Sequence, residues 1–586
     1  MEMKESKLEE KLNKRLKKKY KAAVKAKVEE DIIRVSGELD DWKDIVDACS
    51  MCVQKGTRIH VVNDIRLGKV EMPAMRVPPL KDDALEGRRP DVLIIGGGIS
   101  GASIARELTK WKLDILLVEK EADFAVQASG RNDGEVHPGV DLSKGTLKQH
   151  YVLLGNKMYD RICRELNVPF ERCGQYVGFT HWWMYPVMKG YVWHRKHICK
   201  VTDTTLLSRT ELRRREKELN PEIRFAMYNP SAGCVCPYGL TIAYGENAAQ
   251  NGAQISLNTA VLDMETKDGC IQSVGTNRGR IYPRLVINAA GTFAEDIAAM
   301  AGDRFYSIHP RKGTNSILDK KTGHIVRGIA SVKTLKQKPA HTKGGGILHT
   351  VHGNLLVGPN AEETYEKENF ATEQGSIDAV FAKQKMTTDR LEKKDIITYF
   401  TGVRPATFEE DFVIEKGRRV RNLIHCAGIQ SPGLTTAPAV ALDIEKMAVE
   451  ELKRQRTVEK NDRFDPIRKG IPVLKDMPKE ERDRRIKENP DYGIIVCRCE
   501  EISKGEILDA LKAPVVVPTI DGIKKRLRPG MGRCQGGFCM PLVMDIISQY
   551  MQVPPEEVRK AGEGSVITYG KTKGVCQRRR DDEDAV

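Results

Sequence analysis

The sequence predicts a mixed α/β and α+β protein in which one large domain is flanked by two small ones. Three observations lead to this fold class. A glycine-rich turn at residues 96–101 lies between an apolar strand-like run and a helix-like run. Strand-like and helix-like segments then alternate as far as about residue 449. Finally, four cysteines between residues 497 and 539 mark a separate carboxyl-terminal segment.

The bulk composition is that of a globular protein. The chain has 586 residues, of which 40% are hydrophobic and 30% charged, enough for about three or four domains. No apolar run approaches the roughly 18 residues of a membrane span, and the charged first 20 residues lack the apolar core of a signal peptide. We therefore expect a cytoplasmic protein with no integral membrane segment, and both peripheral membrane association and oligomerisation stay open.

Charge and cysteine content narrow the classes of partner. The net charge of +15 is compatible with acidic partners or anionic substrates. The basic residues are scattered and form no nucleic-acid motif, so we expect no nucleic-acid partner. Fourteen irregularly spaced cysteines in a reducing compartment favour free or metal-bound thiols over disulfides.

The amino-terminal region is predicted to be a charged helix over residues 1–30, followed by a small α+β module over residues 31–70. The module begins with the strand-like run IIRVSGEL, continues as an amphipathic helix, and ends with a second strand. Two of its sequence segments, VSGELDDW and VVNDI, resemble those of a BON-type domain. Residues 71–89, which contain three prolines, are predicted to be a linker.

The motif Gly96-x-Gly98-x-x-Gly101 has the context of a dinucleotide-binding turn. A strand-like run ends just before it, a helix-like run follows, and the next strand ends on Glu119. In such a β-α-β unit the first glycine makes the tight turn, the second lets a pyrophosphate approach the helix N-terminus, and the third permits close packing. Glu119 is placed to accept hydrogen bonds from a ribose. The motif therefore predicts a nucleotide-binding domain.

Three further segments of small residues favour FAD over NAD as the nucleotide. They are residues 129–139, 288–291 and 427–438, and each can bring backbone amides close to a large cofactor. We expect the following residues to bind FAD: Gly96, Gly98, Ile99, Ser100, Gly101, Glu119, Lys120, Ser129, Gly130, Arg131, Asn132, Gly134, Val261, Ala289, Ala290, Gly291, Gly402, Ser431, Pro432, Gly433, Leu434 and Thr435.

Residues 90–452 contain two sequence motifs, GRNDGEVHPG and YFTGVRPAT, that are typical of one protein family. This part of the chain resembles the FAD-dependent oxidoreductases that include D-amino-acid oxidase, glycerol-3-phosphate dehydrogenase and L-2-hydroxyglutarate dehydrogenase. The resemblance implies a Rossmann-type FAD-binding domain with an inserted antiparallel substrate-domain sheet. It also implies hydride transfer from a substrate C–H bond to the flavin while a protein base takes the O–H or N–H proton.

The same resemblance predicts catalytic residues. Arg404 matches the family arginine that faces the flavin and binds the anionic group of the substrate, a task suited to a guanidinium fork. His137, His349 and His352 are candidate proton acceptors, because imidazole titrates near neutral pH; for each taken alone, a structural or pocket-lining role is the more common one. We also expect two neighbouring cations, at positions 311 and 312, to add positive charge to the pocket.

The four carboxyl-terminal cysteines are candidate metal ligands. Cys497-x-Cys499 and, 34 residues later, Cys534-x4-Cys539 can supply thiolates to a [2Fe–2S] or [4Fe–4S] cluster or to structural zinc. A capping-box pattern after the first pair predicts a helix there. The wording CRCEEISKGEI and GMGRCQGGFC resembles the BFD-like (bacterioferritin-associated ferredoxin-like) domain, which implies a [2Fe–2S] cluster within residues 491–560. We expect nearby cations to offset the thiolate charge: Lys524, Lys525, Arg526, Arg528 and Arg533. Residues 453–490 are predicted to be a linker and residues 561–586 a tail.

Taken together, the fused domains resemble the large subunit of anaerobic glycerol-3-phosphate dehydrogenase. This implies oxidation of a small anionic alcohol, with glycerol 3-phosphate as the leading candidate, and single-electron transfer through the cluster to electron-accepting flavoprotein or iron–sulfur subunits. One sequence feature argues against glycerol 3-phosphate as the substrate. The segment AGIQSPGLTTAP contains no cation to hold phosphate and is closer to the L-2-hydroxyglutarate branch. A 2-hydroxy acid or an amine is therefore an alternative substrate, and an electron-transfer subunit is an alternative of another class.

Overall fold

The structure, a computed structural model, describes residues 2–333 and 345–569. At its centre is a six-stranded sheet in which the first five strands are parallel and the last is antiparallel. The four strands after the first edge strand are apolar and fully buried, as expected when helices or other layers cover both faces of a parallel sheet. In spatial order the strands are Gln254–Ser256, Ile115–Val118, Val92–Ile95, Leu285–Asn288, Leu423–Ala427 and Val413–Lys416.

Both faces of this sheet are covered. On one face the helix after the glycine-rich turn, Ile99–Leu108, packs between two longer helices, and a fourth helix packs outside one of them. These three other helices are Pro237–Gln250, Gly433–Lys453 and Leu147–Glu165. On the other face lie a short helix and a three-stranded antiparallel sheet, which share one apolar core with the central strands. These elements are Ala294–Met300, Val261–Lys267, Cys270–Thr276 and Gly279–Ile281. The predicted Rossmann-type architecture is confirmed.

A second sheet of nine strands forms the substrate domain from two insertions in the central sheet. All of its pairings are antiparallel except one, where Ile329–Lys333 lies parallel to Gln175–Phe179 because the two insertions meet there. The long strand Ile308–Leu318 pairs along its whole length with Ile396–Thr407. The other strands are Thr205–Ser208, Phe225–Asn229, Gly346–His349, Leu355–Gly358 and Glu362–Glu363, and the helices are Met184–His197, Arg209–Arg215 and Gln374–Gln384.

A small three-stranded sheet joins the two large ones. Its strands are Glu135–Val136, Gly233–Val235 and Phe170–Glu171, all antiparallel. Since Glu135 directly follows the segment that leaves the nucleotide-binding unit, this sheet fixes where that segment runs between the domains.

The amino-terminal region forms one α+β unit, which corrects the predicted helix over residues 1–30. The helix Glu2–Tyr20 ends ten residues earlier, and Val24–Glu29 is a strand. Alternate residues of that strand are buried and exposed, the period-two pattern of a sheet edge, and this pattern prevails over the high charge of the segment. Leu12 and Leu16 of the helix are fully buried against the sheet. The other elements are Ile32–Leu39, Trp42–Cys52 and His60–Leu67.

The carboxyl-terminal domain is a small helical unit that begins with two short strands, Ile495–Cys497 and Ile502–Ser503. The predicted capping box is present: the Ser503 hydroxyl accepts a hydrogen bond from the Glu506 N–H, and the Glu506 carboxylate accepts one from the Ser503 N–H. The helices are Lys504–Ala510, Ile520–Leu527 and Cys539–Met551, preceded by Lys479–Glu488 in the segment predicted to be a linker. Residues 570–586 of the predicted tail lie outside the described residues. Within the described part of the chain, none of the helices combines the length and apolarity that crossing a bilayer requires.

Buried arginines attach this domain to the central one. Arg526, whose side chain is 1% exposed, binds both carboxylate oxygens of Asp123 at 3.0 and 3.2 Å and lies 3.4 Å from a carboxylate oxygen of Glu246. Arg528 donates a hydrogen bond to the Tyr238 hydroxyl at 3.0 Å. Asp123, Glu246 and Tyr238 all belong to the central domain, so charged contacts set the position of the carboxyl-terminal domain.

Replacing Arg526 should release the carboxyl-terminal domain. The change Arg526→Ala removes both hydrogen bonds that Arg526 makes to the buried Asp123 carboxylate and leaves it only Lys525, 3.9 Å away; breaking a buried ion pair costs about 3–5 kcal/mol. We expect faster proteolysis within residues 453–490 and a lower urea midpoint. The matched control is Arg484→Ala, because Arg484 and its partner Glu488 are both 59% exposed and such a pair contributes about 0–1 kcal/mol. Equal proteolysis rates for the two variants would contradict this role.

Candidate active site

The glycine-rich turn closes on a neighbouring strand end with no room for side chains. Gly96 has a φ of +114°, and a Cβ there would lie 2.4 Å from the carbonyl oxygen of Ala289. A Cβ on Gly101 would lie 1.9 Å from the carbonyl oxygen of Gly96. The turn and the segment after strand Leu285–Asn288 thus meet at the carboxyl ends of adjacent parallel strands, where ligands bind in sheets of this kind.

Acceptors and donors for a nucleotide surround this turn. The helix N-terminus at Gly98 has no side-chain cap, which suits a pyrophosphate. Glu119 accepts hydrogen bonds from the Gly97 N–H at 2.5 Å and the Glu121 N–H at 2.8 Å, and burial raises its pKa to about 7. Ser129 accepts a hydrogen bond from the Ile99 N–H at 2.8 Å. These residues fit the ribose and pyrophosphate of a dinucleotide.

A cavity of about 550 Å³ runs from this turn between the two large sheets, within the usual size range of ligand pockets. The predicted residues that line it are Gly98, Ile99, Ser100, Ser129, Arg131, Asn132, His137, Ala289, Gly291, Gly402, Arg404, Ser431, Pro432, Gly433 and Leu434. The remaining predicted cofactor residues are not among those lining the cavity; they are Gly96, Gly101, Glu119, Lys120, Gly130, Gly134, Val261, Ala290 and Thr435. Of these, Lys120 is paired with Glu368 at 2.5 Å, and Val261 is part of an apolar core.

Arg404 is a cation of the cavity wall. Its two terminal nitrogens each donate to the carbonyl oxygen of Asn360 at 3.2 Å. A Cβ on Gly313, across the strand pair, would lie 2.1 Å from one of these nitrogens, so glycine makes room for the guanidinium. Burial lowers the pKa of Arg404 to about 10, although the nearby Asp133 opposes that shift. Arg404 therefore carries its charge at neutral pH.

Lys148 is a second cavity cation, and it was not predicted from the sequence. It is 8% exposed, and its nearest carboxylate oxygen, on Glu410, is 3.8 Å away. Burial lowers its pKa to about 8. Nothing in its local sequence distinguishes it from other lysines of amphipathic helices, because its place in the cavity results from how helix Leu147–Glu165 packs.

His137 is the predicted histidine that lies in the cavity wall. Its Nδ1 is 3.0 Å from a carboxylate oxygen of Glu135. The same oxygen accepts a hydrogen bond from the Gln175 amide at 2.7 Å. A carboxylate on one ring nitrogen fixes the orientation and tautomer of an imidazole and leaves the other nitrogen to exchange a proton, the arrangement of a general base. That other nitrogen is 3.5 Å from the Ser431 hydroxyl.

The structure places the other two predicted histidines elsewhere. His349 ends its strand outside the cavity lining, and burial lowers its pKa. His352 is buried at the junction with the carboxyl-terminal domain, and burial, together with cations including Arg528, lowers its pKa well below the usual range. Both were selected by residue type alone, and neither position supports the predicted role as proton acceptor of the substrate.

The two neighbouring cations predicted to charge the pocket are neutralised instead. Arg311 pairs with Glu363 and Glu410, both at 2.6 Å. Lys312 pairs with Glu373 at 3.0 Å. Neither side chain lines the cavity. They contribute to the packing of strand Ile308–Leu318, and the prediction that they supply positive charge to the pocket is wrong.

The four cysteines of the carboxyl-terminal domain are arranged as two pairs. The Sγ atoms of Cys499 and Cys534 are 3.6 Å apart, while Cys497 and Cys539 are buried together in the domain core. Backbone N–H groups, first that of Gly536, lower the pKa of Cys534 and so favour a thiolate. Among the described residues no three His, Cys, Asp or Glu side chains converge on one point, as a mononuclear metal would require. Paired thiols fit a two-iron cluster, in which four cysteine thiolates bind two irons.

Comparison with known proteins identifies both domains. Residues 91–447 match the family "FAD dependent oxidoreductase", and residues 495–549 match the family "BFD-like [2Fe-2S] binding domain". The chain belongs to the FAD dependent oxidoreductase family. The predicted cofactors, FAD and a [2Fe–2S] cluster, are thereby confirmed.

Similar proteins extend over most of the chain. It is 36% identical over 490 residues to a glycerol 3-phosphate dehydrogenase of Caloramator mitchellensis, covering 83% of this chain and all of that one. It is 24% identical to subunit A1 of an anaerobic glycerol-3-phosphate dehydrogenase of Haloferax volcanii, covering 77% and 81%. A solved structure of L-α-glycerophosphate oxidase from Mycoplasma pneumoniae with FAD bound superimposes with a TM-score of 0.59 at 25% identity, covering 65% of this chain and 98% of that one.

A methyl group at Gly96 should abolish FAD retention. The change Gly96→Ala places a Cβ against the Ala289 carbonyl at a φ that alanine rarely adopts, so the turn must move. We expect the purified variant to contain less than about a tenth of the wild-type flavin, judged by absorbance at equal protein. Gly375→Ala is the control, because no atom lies within 4 Å of that Cβ. Full flavin content in the Gly96 variant would contradict a role of this glycine-rich turn in binding FAD.

Proposed function

We propose that this protein oxidises glycerol 3-phosphate at FAD and passes the electrons one at a time through the [2Fe–2S] cluster to electron-accepting flavoprotein or iron–sulfur subunits. The observation that carries the proposal is the pair of cations, Arg404 and Lys148, in the wall of the cavity that begins at the glycine-rich turn. The similarity to proteins named for glycerol 3-phosphate supports the choice of anion.

The proposed roles follow from charge and position. FAD, when bound, supplies the hydride acceptor for the substrate C–H bond. Arg404 and Lys148 bind the phosphate, and the planar guanidinium offers it two parallel N–H donors. His137, held by Glu135, takes the hydroxyl proton. The surrounding wall limits access of water to the reacting atoms.

Lys148 can supply the phosphate-binding cation that the segment AGIQSPGLTTAP lacks. That segment begins the helix Gly433–Lys453 without a cation, but helix Leu147–Glu165 crosses it closely. A Cβ on Gly155 would lie 2.1 Å from the carbonyl oxygen of Thr435, so glycine permits the approach. The crossing supplies a cation from a different part of the chain, and we propose that it does the work of the missing one.

A 2-hydroxy dicarboxylate such as L-2-hydroxyglutarate is the second candidate substrate. The absence of Lys and Arg from residues 427–438 favours this substrate. The two cations Arg404 and Lys148 suit two carboxylates as well as one phosphate.

An exposed surface beside the cysteines supports electron transfer to an acceptor subunit. The [2Fe–2S] ligand Cys499 is exposed, and Phe538, next to Cys539, is 83% exposed. An acceptor subunit that covers this surface comes close to the cluster. We propose that the protein works in the cytoplasm, as expected from its sequence.

An anaerobic titration tests the substrate. Glycerol 3-phosphate should bleach the flavin band and then reduce the cluster, seen as a separate absorbance change and an electron paramagnetic resonance signal. L-2-hydroxyglutarate is titrated in parallel, and bleaching by that compound alone would move the assignment to the 2-hydroxy acids. If neither compound bleaches a protein that dithionite reduces normally, the electron-transfer role becomes the better explanation.

The pH dependence tests Lys148. Its pKa of about 8 means that the cation is present below that pH and lost above it, so kcat/KM for glycerol 3-phosphate should fall as the pH rises through about 8. Lys148→Arg should move this fall towards the pKa of Arg404, about 10. Lys148→Met should raise KM by about tenfold or more at pH 7 and remove the fall near pH 8. A profile that is unchanged in both variants would exclude Lys148 from substrate binding.

A further inference from the structure

One surface of the substrate domain exposes an unusual set of aromatic side chains. Trp182, Trp183, Val187 and Trp193 are 56%, 57%, 62% and 58% exposed, and we call these four residues the tryptophan face. They include three of the five tryptophans in the chain. Large aromatic side chains are normally buried, so an exposed group of them marks a surface that binds something.

Val187 and Trp193 lie on the helix Met184–His197, and Trp182 and Trp183 directly precede it. The inner side of the helix packs into the substrate domain through Tyr185, Met188 and Val192. On the helix, Val187, Trp193 and positions 190, 194 and 197 are exposed. Trp182 also stacks on the buried Phe225, with ring centroids 6.0 Å apart.

The segment that carries this face contains charged side chains of one sign. Residues 181–200 contain four Lys or Arg and three His but no Asp or Glu. Lys189 and Lys200 are exposed, and the last helical turn is basic throughout. The chain as a whole carries a net charge of +15. A partner that complements this surface must be anionic and must also accept indole rings.

An anionic bilayer surface meets both requirements. Tryptophan rings prefer the headgroup region, where an apolar ring and a polar N–H are both accommodated. A helix with one packed face and one face of Trp, Val and Lys can lie in the plane of the headgroups, while its cations attract acidic lipids. We propose that the tryptophan face docks the protein peripherally on a membrane surface that contains acidic phospholipids.

This docking would place the substrate cavity next to the membrane. Tyr191 and Leu142 line the cavity. Tyr191 donates a hydrogen bond to the carbonyl oxygen of Val140 at 2.9 Å, and Arg195 donates one to that of Leu142 at 2.7 Å. The helix that carries the tryptophan face is thus part of the wall of the cavity. The proposal concerns where the protein binds and does not depend on which substrate is oxidised.

Vesicle binding by the full-length holoprotein tests this proposal without substrate. We expect co-sedimentation with vesicles of phosphatidylglycerol and phosphatidylcholine, with binding at least about tenfold tighter than to phosphatidylcholine alone and weakened by salt. Tryptophan emission should shift to shorter wavelength on binding. The double variant Trp183→Ser/Trp193→Ser should lose at least about tenfold in affinity, and Lys189→Glu should reduce binding to the acidic vesicles selectively.

The matched control is Tyr399→Ser, because Tyr399 is an aromatic residue of the same domain that is also 56% exposed. It should bind vesicles as the wild type does. Absence of binding to acidic vesicles, or equal binding by the tryptophan variant, would overturn the proposal in favour of a protein partner. If acrylamide fails to quench the tryptophans of the free protein, the face is already covered in solution, and the proposal is equally overturned. Anaerobic flavin bleaching is measured separately, so its failure would leave this result unaffected.

Discussion

The carbonyl oxygen of Ala289 lies against the turn at Gly96, and no side chain fits between them. This contact holds two strand ends together that are separated by almost 200 residues. Both insertions that build the substrate domain leave the central sheet and return to it around this point, so the cavity has one wall from each. A larger residue at Gly96 would separate the strand ends and change the cofactor cradle and the cavity at the same time.

Burial of charge is the second constraint on the site. Arg404 and Lys148 lose hydration in the cavity wall, which lowers the pKa of each, whereas the burial of Arg311 is offset by pairing with two carboxylates. Lys148 lies 3.8 Å from Glu410 and Arg404 donates to a backbone carbonyl oxygen, so both are less closely paired with carboxylates than Arg311 is. Both line the cavity, which is why we propose that they bind the anionic group of the substrate.

Sequence analysis could identify the features that depend on short spacings between residues. The glycines at 96, 98 and 101, the acid at 119 and the two cysteine pairs lie within one or two local elements, so candidate roles could be assigned to them from the chain alone. Lys148 and the exclusion of His349 could not, because each depends on how distant segments pack. The helix predicted over residues 1–30 failed for a related reason: charge suggested one long helix, but the alternating valines and alanine of residues 24–29 pair with the next strand.

The contacts of the basic residues near the cysteines also depend on the packing of distant segments. These contacts explain how the carboxyl-terminal domain is positioned. The basic residues were expected to offset thiolate charge, yet Arg526 binds Asp123 of the central domain, and Arg528 binds both Tyr238 of that domain and Glu500 beside Cys499. Asp123 lies four residues after Glu119, on the loop that follows the nucleotide-binding strand. The carboxyl-terminal domain therefore contacts a loop of the FAD cradle itself. A chain that must move electrons between two cofactors gains from this arrangement, because the contact that fixes the cluster domain is made to the part of the fold that holds the flavin nucleotide.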